Sequence, residues 1–112
     1  MPKKNAMTKL SPGLRETLKT LGAGMPDDTR LKVWWIPQVP GKPFEVEVDS
    51  IEEGALLVTA FADYDMFQFE NHIKPDYSNA GGLSVWDKDG KEWLDWEDDE
   101  GNDLDYYLKG GK

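Results

Sequence analysis

Asp89-Gly90 lies between the short runs LSVWD at 83–87 and EWLDW at 92–96, and this dipeptide constrains the chain more than any other feature. Asp-Gly favours a two-residue hairpin turn because both positions tolerate positive φ. Pairing Lys88 with Lys91 then sets Asp87 opposite Glu92, Trp86 opposite Trp93, Val85 opposite Leu94, Ser84 opposite Asp95 and Leu83 opposite Trp96. Side chains alternate across a strand. Leu83, Val85, Leu94 and Trp96 therefore share one face, assigned to the core, and Trp86 and Trp93 form a cross-strand pair among the polar Ser84 and Asp95 on the other.

The remaining elements follow from punctuation and period. Ser11-Pro12 starts a helix, Leu14, Leu18 and Leu21 continue it, and Gly22 and Gly24 stop it, which predicts a helix over about residues 12–21. LKVWWI at 31–36 is β-branched and aromatic and closes at Pro37, so it reads as an inner strand. Phe44, Val46 and Val48 alternate with Glu45, Glu47 and Asp49 in a second strand with one wet face, joined to the first by the Pro37–Pro43 loop. Ser50 with Glu53 forms a capping box, and Ile51, Ala55, Val58 and Ala62 recur on one face of the main helix. YDMFQFENHI, at 64–73, holds Met66, Phe67, Phe69 and Ile73 without a clean period and reads as a second short helix ended by Pro75, and Asn79–Gly82 reads as a loop.

These pieces predict one α+β domain over residues 11–108: an antiparallel sheet of about four strands in two hairpins, with the main helix on one face. A mobile basic arm over residues 1–10 precedes it. An acidic extension over 97–108 and a short tail over 109–112 follow. If Val33 and Trp35 face the core, Trp34 joins Trp86 and Trp93 on the open side.

With no cysteine among 112 residues, disulfide frameworks, thiolate nucleophiles and cysteine-based metal sites are excluded. The lone His72 reads as a solvent-facing residue at an element end, and no hydrolase, phosphate-loop, dinucleotide or zinc-protease motif occurs. Asp87 and Asp89 before Gly90 fail the calcium-loop spacing, with Lys91 where a ligand belongs. No enzyme, cofactor or metal site is expected. The longest apolar run, Ala55–Ala62, is far short of a membrane span and the N-terminus lacks a signal-peptide core, so the expected location is the cytoplasm.

Charge is placed unevenly. Residues 1–26 hold Lys3, Lys4, Lys9, Arg15 and Lys19 against Glu16, or +4, which leaves −13 for the rest of a chain of net charge −9. Such a body repels nucleic-acid phosphate and anionic lipid, so neither is an expected direct partner. Between Trp86 and Tyr107 ten carboxylates stand against Lys88 and Lys91, interleaved with three Trp and two Tyr. A purely disordered acidic tail is poor in aromatics. The candidate partner-binding residues are therefore the anchors Trp34, Trp86, Trp93, Tyr106 and Tyr107 and the acids Asp95, Glu97, Asp98, Asp99, Glu100, Asp103 and Asp105, facing a host protein with a basic surface. Trp35 and Trp96 are assigned to the core, and a strand edge beside exposed Trp residues is compatible with a homodimer.

KVWWIPQVP and KPDYSNAGG, within a stretch running from about residue 31 to 96, resemble a group of small bacteriophage proteins of mostly unassigned function, some of them termed superinfection-exclusion proteins. The resemblance implies a virus-encoded accessory protein acting inside the infected bacterium and supplies no catalytic residues. Joined to the acidity, it favours a protein that binds and blocks a host defence or nucleic-acid-handling protein, with carboxylates standing where DNA phosphates would lie. The alternatives are a superinfection-exclusion factor acting on incoming phage, and a sponge for a signalling nucleotide, which would need Arg30, Lys32 and Lys74 to converge.

Overall fold

The computed structural model describes residues 9–73 and 78–110. Its elements run α1 (Pro12–Ala23), β1 (Leu31–Ile36), β2 (Phe44–Val48), α2 (Ile51–Glu70), β3 (Ala80–Asp87), β4 (Glu92–Asp95) and α3 (Leu104–Leu108). The strands form one antiparallel sheet in the order β2-β1-β3-β4. The helices pack on one of its faces and, among the described residues, the other is open, an α+β arrangement. The expected arm lies outside the described residues except for Lys9 and Leu10, and Leu10 is buried in the core. Lys74–Tyr77 and the end of the tail also lie outside them.

Local chemistry sets the helix starts. Ser11 Oγ accepts the Leu14 N–H at 3.2 Å with Pro12 in the first turn of α1, and Ser50 Oγ accepts the Glu53 N–H at 3.0 Å while Glu53 Oε1 accepts the Asp49 N–H at 2.6 Å. α2 presents Ile51, Gly54, Ala55 and Val58 to the sheet, where Leu31, Val33, Val48 and Leu83 are buried. α2 is one continuous helix of 20 residues, not a main helix followed by a short second one. Nothing between Ala62 and Glu70 breaks a helix. The period fades there because Asp65, a carboxylate, holds the buried position and Tyr64, Phe67 and Phe69 are exposed. It ends in a Schellman motif: His72 takes φ 62, its N–H donates to Phe69 O at 3.2 Å, and the Ile73 N–H donates to Gln68 O at 2.8 Å.

The join between β1 and β3 is the tightest fit in the sheet. Trp34 lies opposite Gly82 and Trp35 opposite Gly81, so two tryptophans pointing to opposite faces each meet a glycine. A Cβ on Gly81 would fall 2.6 Å from Trp35 Cζ3, and one on Gly82 would fall 2.9 Å from Trp34 Nε1. Of the segment expected as a loop at 79–82, residues 80–82 instead extend β3, because its glycines are the seats for the two rings. Beneath, the Trp35 indole N–H donates to Asp65 Oδ2 at 3.0 Å and the Asn79 amide donates to the same oxygen at 2.8 Å. Asp65 is 2% exposed. These bonds tie α2 to β1 and to the approach to β3.

β3 and β4 pair with Trp86 opposite Trp93 and Asp87 opposite Glu92. The turn differs from the expected two-residue form, for Lys88–Lys91 are all in it and Lys91, not Gly90, takes positive φ, at 54°. Asp87 explains this, since its carboxylate accepts the N–H groups of Asp89 and Gly90, each at 3.2 Å, and so wraps the turn around itself. A four-residue loop keeps the same register as a two-residue loop closed by Lys88 and Lys91, since Asp87 and Glu92 remain partners.

Gly81→Ala is expected to destabilise the fold by about 1–3 kcal/mol through overpacking against Trp35. Gly22→Ala, in a helix position with nothing within 4 Å of the new methyl, is expected to stabilise it by about 0.5–1 kcal/mol. Urea unfolding of the two variants against the wild type checks both signs.

Candidate functional site

The open face is built by alternation. β1 contributes Lys32 and Trp34, β2 Glu45 and Glu47, β3 Ser84 and Trp86, and β4 Trp93 and Asp95. Trp86 and Trp93 meet edge to face, with ring centroids 5.4 Å apart at 64°. Two cations lie on this pair. The Arg30 guanidinium carbon is 5.7 Å from the Trp86 centroid and 5.2 Å from that of Trp93, and Lys32 Nζ is 4.5 Å from that of Trp93.

Both cations also reach β2. Arg30 grips Glu47 with two parallel bonds, Nε to Oε2 at 2.9 Å and Nη2 to Oε1 at 3.0 Å, and Lys32 Nζ is 3.0 Å from Glu45 Oε2. The Arg30 hydrogen bond holds the Glu47 carboxyl below its ordinary range and lifts the guanidinium in turn. Carboxylates, cations and the Trp pair thus form a continuous layer from β2 to β4. Ser84 is buried although it belongs to this face, between Lys32 and Asp95 in the register. Trp34 shares the face but sits over Gly82, four residues along β3 from Trp86. At the hairpin turn Lys88 bonds Asp28, which lowers the Asp28 carboxyl through that bond.

The acidic extension is folded. Glu97 bridges to Asp103. Between them the Asp98 N–H donates to Asn102 O at 2.9 Å, the Gly101 N–H donates to Asp98 O at 3.1 Å, and Gly101 takes φ 83, the form of a three-residue hairpin loop that needs a left-handed residue. Asp98 organises this loop. Its Oδ1 accepts the N–H groups of Glu100 and Asn102, both at 2.9 Å, and its Oδ2 accepts the Tyr107 hydroxyl. These bonds, the Tyr107 hydroxyl first, bring the Asp98 carboxyl down to about 2, and the same hydroxyl–carboxylate bond pushes Tyr107 up to about 12. Asp103 caps α3 by accepting the Tyr106 N–H at 3.0 Å, and Asp105 pairs with Lys109 at 3.0 Å.

Leu104 is buried, and Tyr107 packs on Trp96 with centroids 6.3 Å apart and on Tyr106 at 5.1 Å. Tyr107 also lines hollows with Leu14, Leu21 and Met25 of α1 and the turn after it. The expected surface therefore divides: Trp34, Trp86, Trp93 and Asp95 stand on the open sheet face, whereas Glu97–Tyr107 joins the helical layer. Among the acids of the extension, Glu97, Asp99, Glu100, Asp103 and Asp105 are exposed, while Asp98 is half-buried. Arg30 and Lys32, which the sequence offered only as cations for a nucleotide, instead hold the Trp pair and the β2 carboxylates. Their signal was present, for Arg30, Lys32 and Trp34 alternate as Glu45 and Glu47 do. His72 is exposed at the helix end, and no cluster of three or more metal-ligating side chains occurs among the described residues.

Fold and surface define a small two-layer α+β domain whose open face is aromatic and laced with ion pairs. The chain belongs to the superinfection exclusion gene product 17 family, whose model matches residues 30–111, a family of small phage accessory proteins. It is 54% identical over 78 residues to the superinfection exclusion protein of Salmonella phage P22, covering 60% of this chain and 76% of that protein. The family match runs through the extension, beyond the 31–96 stretch that carries the resemblance in the sequence. No solved structure matches, and no helix among the described residues is long and apolar enough to cross a membrane.

The Asp98–Tyr107 bond gives a pH signature. A carboxyl lowered from 3.8 to about 2 stabilises the fold above pH 4, and this is lost as pH falls through 2. A phenol raised from 10.0 to about 12 stabilises it below pH 10, and this is lost as pH rises through 12. Tyr107→Phe is expected to lower stability at neutral pH, with the gap to wild type narrowing at both extremes. Denaturation midpoints across pH check this, and a gap constant with pH would refute it.

Proposed function

We propose that this chain is a superinfection-exclusion factor, acting in the cytoplasm of an infected bacterium against related incoming phage by binding a protein target rather than by catalysis. The observation that carries the reading is the family match over residues 30–111, which contains the whole open face and the folded extension. A relative from Salmonella phage P22 bears the exclusion name. The contact surface proposed is the open face, with Trp86 and Trp93 as anchors and Trp34 beside them. Rings already held edge to face under Arg30 and Lys32 lose little freedom on binding, and Trp side chains of this kind supply most of the energy of an interface.

The exposed acids Asp95, Asp99 and Glu100 support a target with a basic surface, since opposite charge speeds encounter and excludes wrong partners. That target is a host protein or a component of the second phage. Mimicry of DNA draws less support: Asp98, Asp103 and Asp105 are engaged within the extension and Glu45 and Glu47 are neutralised by Lys32 and Arg30, which removes five carboxylates from any phosphate-like array. A nucleotide sponge draws less still, because those same two cations are already paired and Lys74 lies outside the described residues.

The test is expression of the chain before challenge with related phage. Wild type is expected to block productive infection, and Trp86→Ala with Trp93→Ala to relieve the block at least about tenfold, the scale of losing one anchor, while its thermal melt stays cooperative. Wild-type chain that leaves every related phage unaffected would overturn the proposal.

A further inference from the structure

A second surface lies on the other layer of the molecule. The last turns of α2 and its cap expose large apolar side chains: Tyr64 is 59% exposed, Phe67 54% and Ile73 61%, with Met66 nearby and Phe44 of β2 58% exposed at the sheet edge. Tyr64 and Phe67 stack on each other, centroids 6.5 Å apart and nearly parallel at 12°, and Phe44 meets Phe61 of α2 at 6.0 Å. The outward stripe is continuous at helical spacing, since Leu56, Ala60, Tyr64 and Phe67 follow at i, i+4, i+8 and i+11. An exposed stripe of large apolar side chains bordered by carboxylates is the mark of an interaction surface.

Charge decides what covers it. Residues 51–73 hold Glu52, Glu53, Asp63, Asp65 and Glu70 and no Lys or Arg. Helices that lie on bilayers carry Lys and Arg on their polar face, and an anionic leaflet repels this one. A second copy packed on the distal half would bring exposed Asp63 and Glu70 against the same two residues, in a chain of net charge −9. We infer that the distal half of α2 docks, as a helix laid in a groove, into a partner protein whose cleft has an apolar floor and a rim of Lys and Arg. Tyr64 and Phe67 fill the floor, and Glu70 meets the rim. This surface is separate from the Trp face and does not depend on the exclusion reading.

The experiment places a benzophenone amino acid at position 67 in the full chain, cross-links in the bacterial host, identifies the product and measures binding of the purified partner. Support requires one discrete product containing a second protein. Its affinity must fall at least about tenfold with Tyr64→Ser plus Phe67→Ser, as for loss of interface anchors. It must also fall with Glu70→Lys and on raising salt from about 0.05 to 0.5 M, where exposed charges are screened, and be unchanged by Trp86→Ala. Glu70→Lys keeps the test valid if the double variant fails to fold. A cross-link only between two copies of this chain, flotation with phosphatidylglycerol vesicles in place of a protein product, no discrete product, or binding indifferent to these changes would each overturn it.

Discussion

The fold depends on two tryptophans meeting two glycines. Trp34 and Trp35 are adjacent, so their rings leave β1 on opposite faces, and Gly82 and Gly81 stand across from them on β3. A ring can lie flat on a strand only where the opposing residue has no Cβ, and aromatic cover in turn restores the packing that glycine lacks. A slip of one residue would drive one ring into a side chain, Trp34 into Leu83 or Trp35 into Ala80, and turn every neighbour to the wrong face. The pairing therefore locks the two central strands from both sides at once. Asp65 completes the lock, because its carboxylate takes the Trp35 indole N–H and the Asn79 amide and so fixes α2 above the same junction.

Both surfaces follow from this junction. With β1 and β3 in register, Arg30 falls beside Trp86, whose N–H donates to Arg30 O at 3.0 Å, and Lys32 falls over Trp93. The Trp pair is then held by cations that are themselves held by β2. On the other layer, Asp65 ties down α2 midway along its second half, and Phe67 in the turn that follows is more than half exposed. One face is rigid and polar-edged. The other is apolar and set off from the core.

Much of this was legible in the sequence. Asp89-Gly90 and the alternation around it place Trp86 opposite Trp93, Ser50 and Glu53 mark the start of α2, and Trp35 and Trp96 are in the core. The rest needed information that local patterns do not hold. The register of β1 with β2 passes through a loop rich in Pro and Gly, so nothing in the sequence ties Arg30 to Glu47 or Lys32 to Glu45. The acids at 97–105 read as a charged extension because Asp98 bonds a tyrosine nine residues away, a closure no periodicity reports. Asp65 looked like one acid among many. Its place on the apolar stripe of Val58 and Ala62 was the available signal, since a carboxylate on the sheet-facing side of a helix must find donors. The faded period after Ala62 suggests a second helix, whereas it marks where α2, still one helix, puts a carboxylate on its buried side and aromatic rings outside.

The claim that the paired Trp–Gly contacts set the architecture is tested most directly by a double-mutant cycle at Trp34 and Gly82. Stability would be measured by urea unfolding for wild type, Gly82→Ala, Trp34→Ala and the double variant. The account predicts that Gly82→Ala is destabilising by about 1–3 kcal/mol in the wild type and neutral or stabilising once Trp34→Ala has removed the ring, a coupling well outside the roughly 0.3–0.5 kcal/mol within which independent sites add. An equal cost of Gly82→Ala in both backgrounds would contradict it.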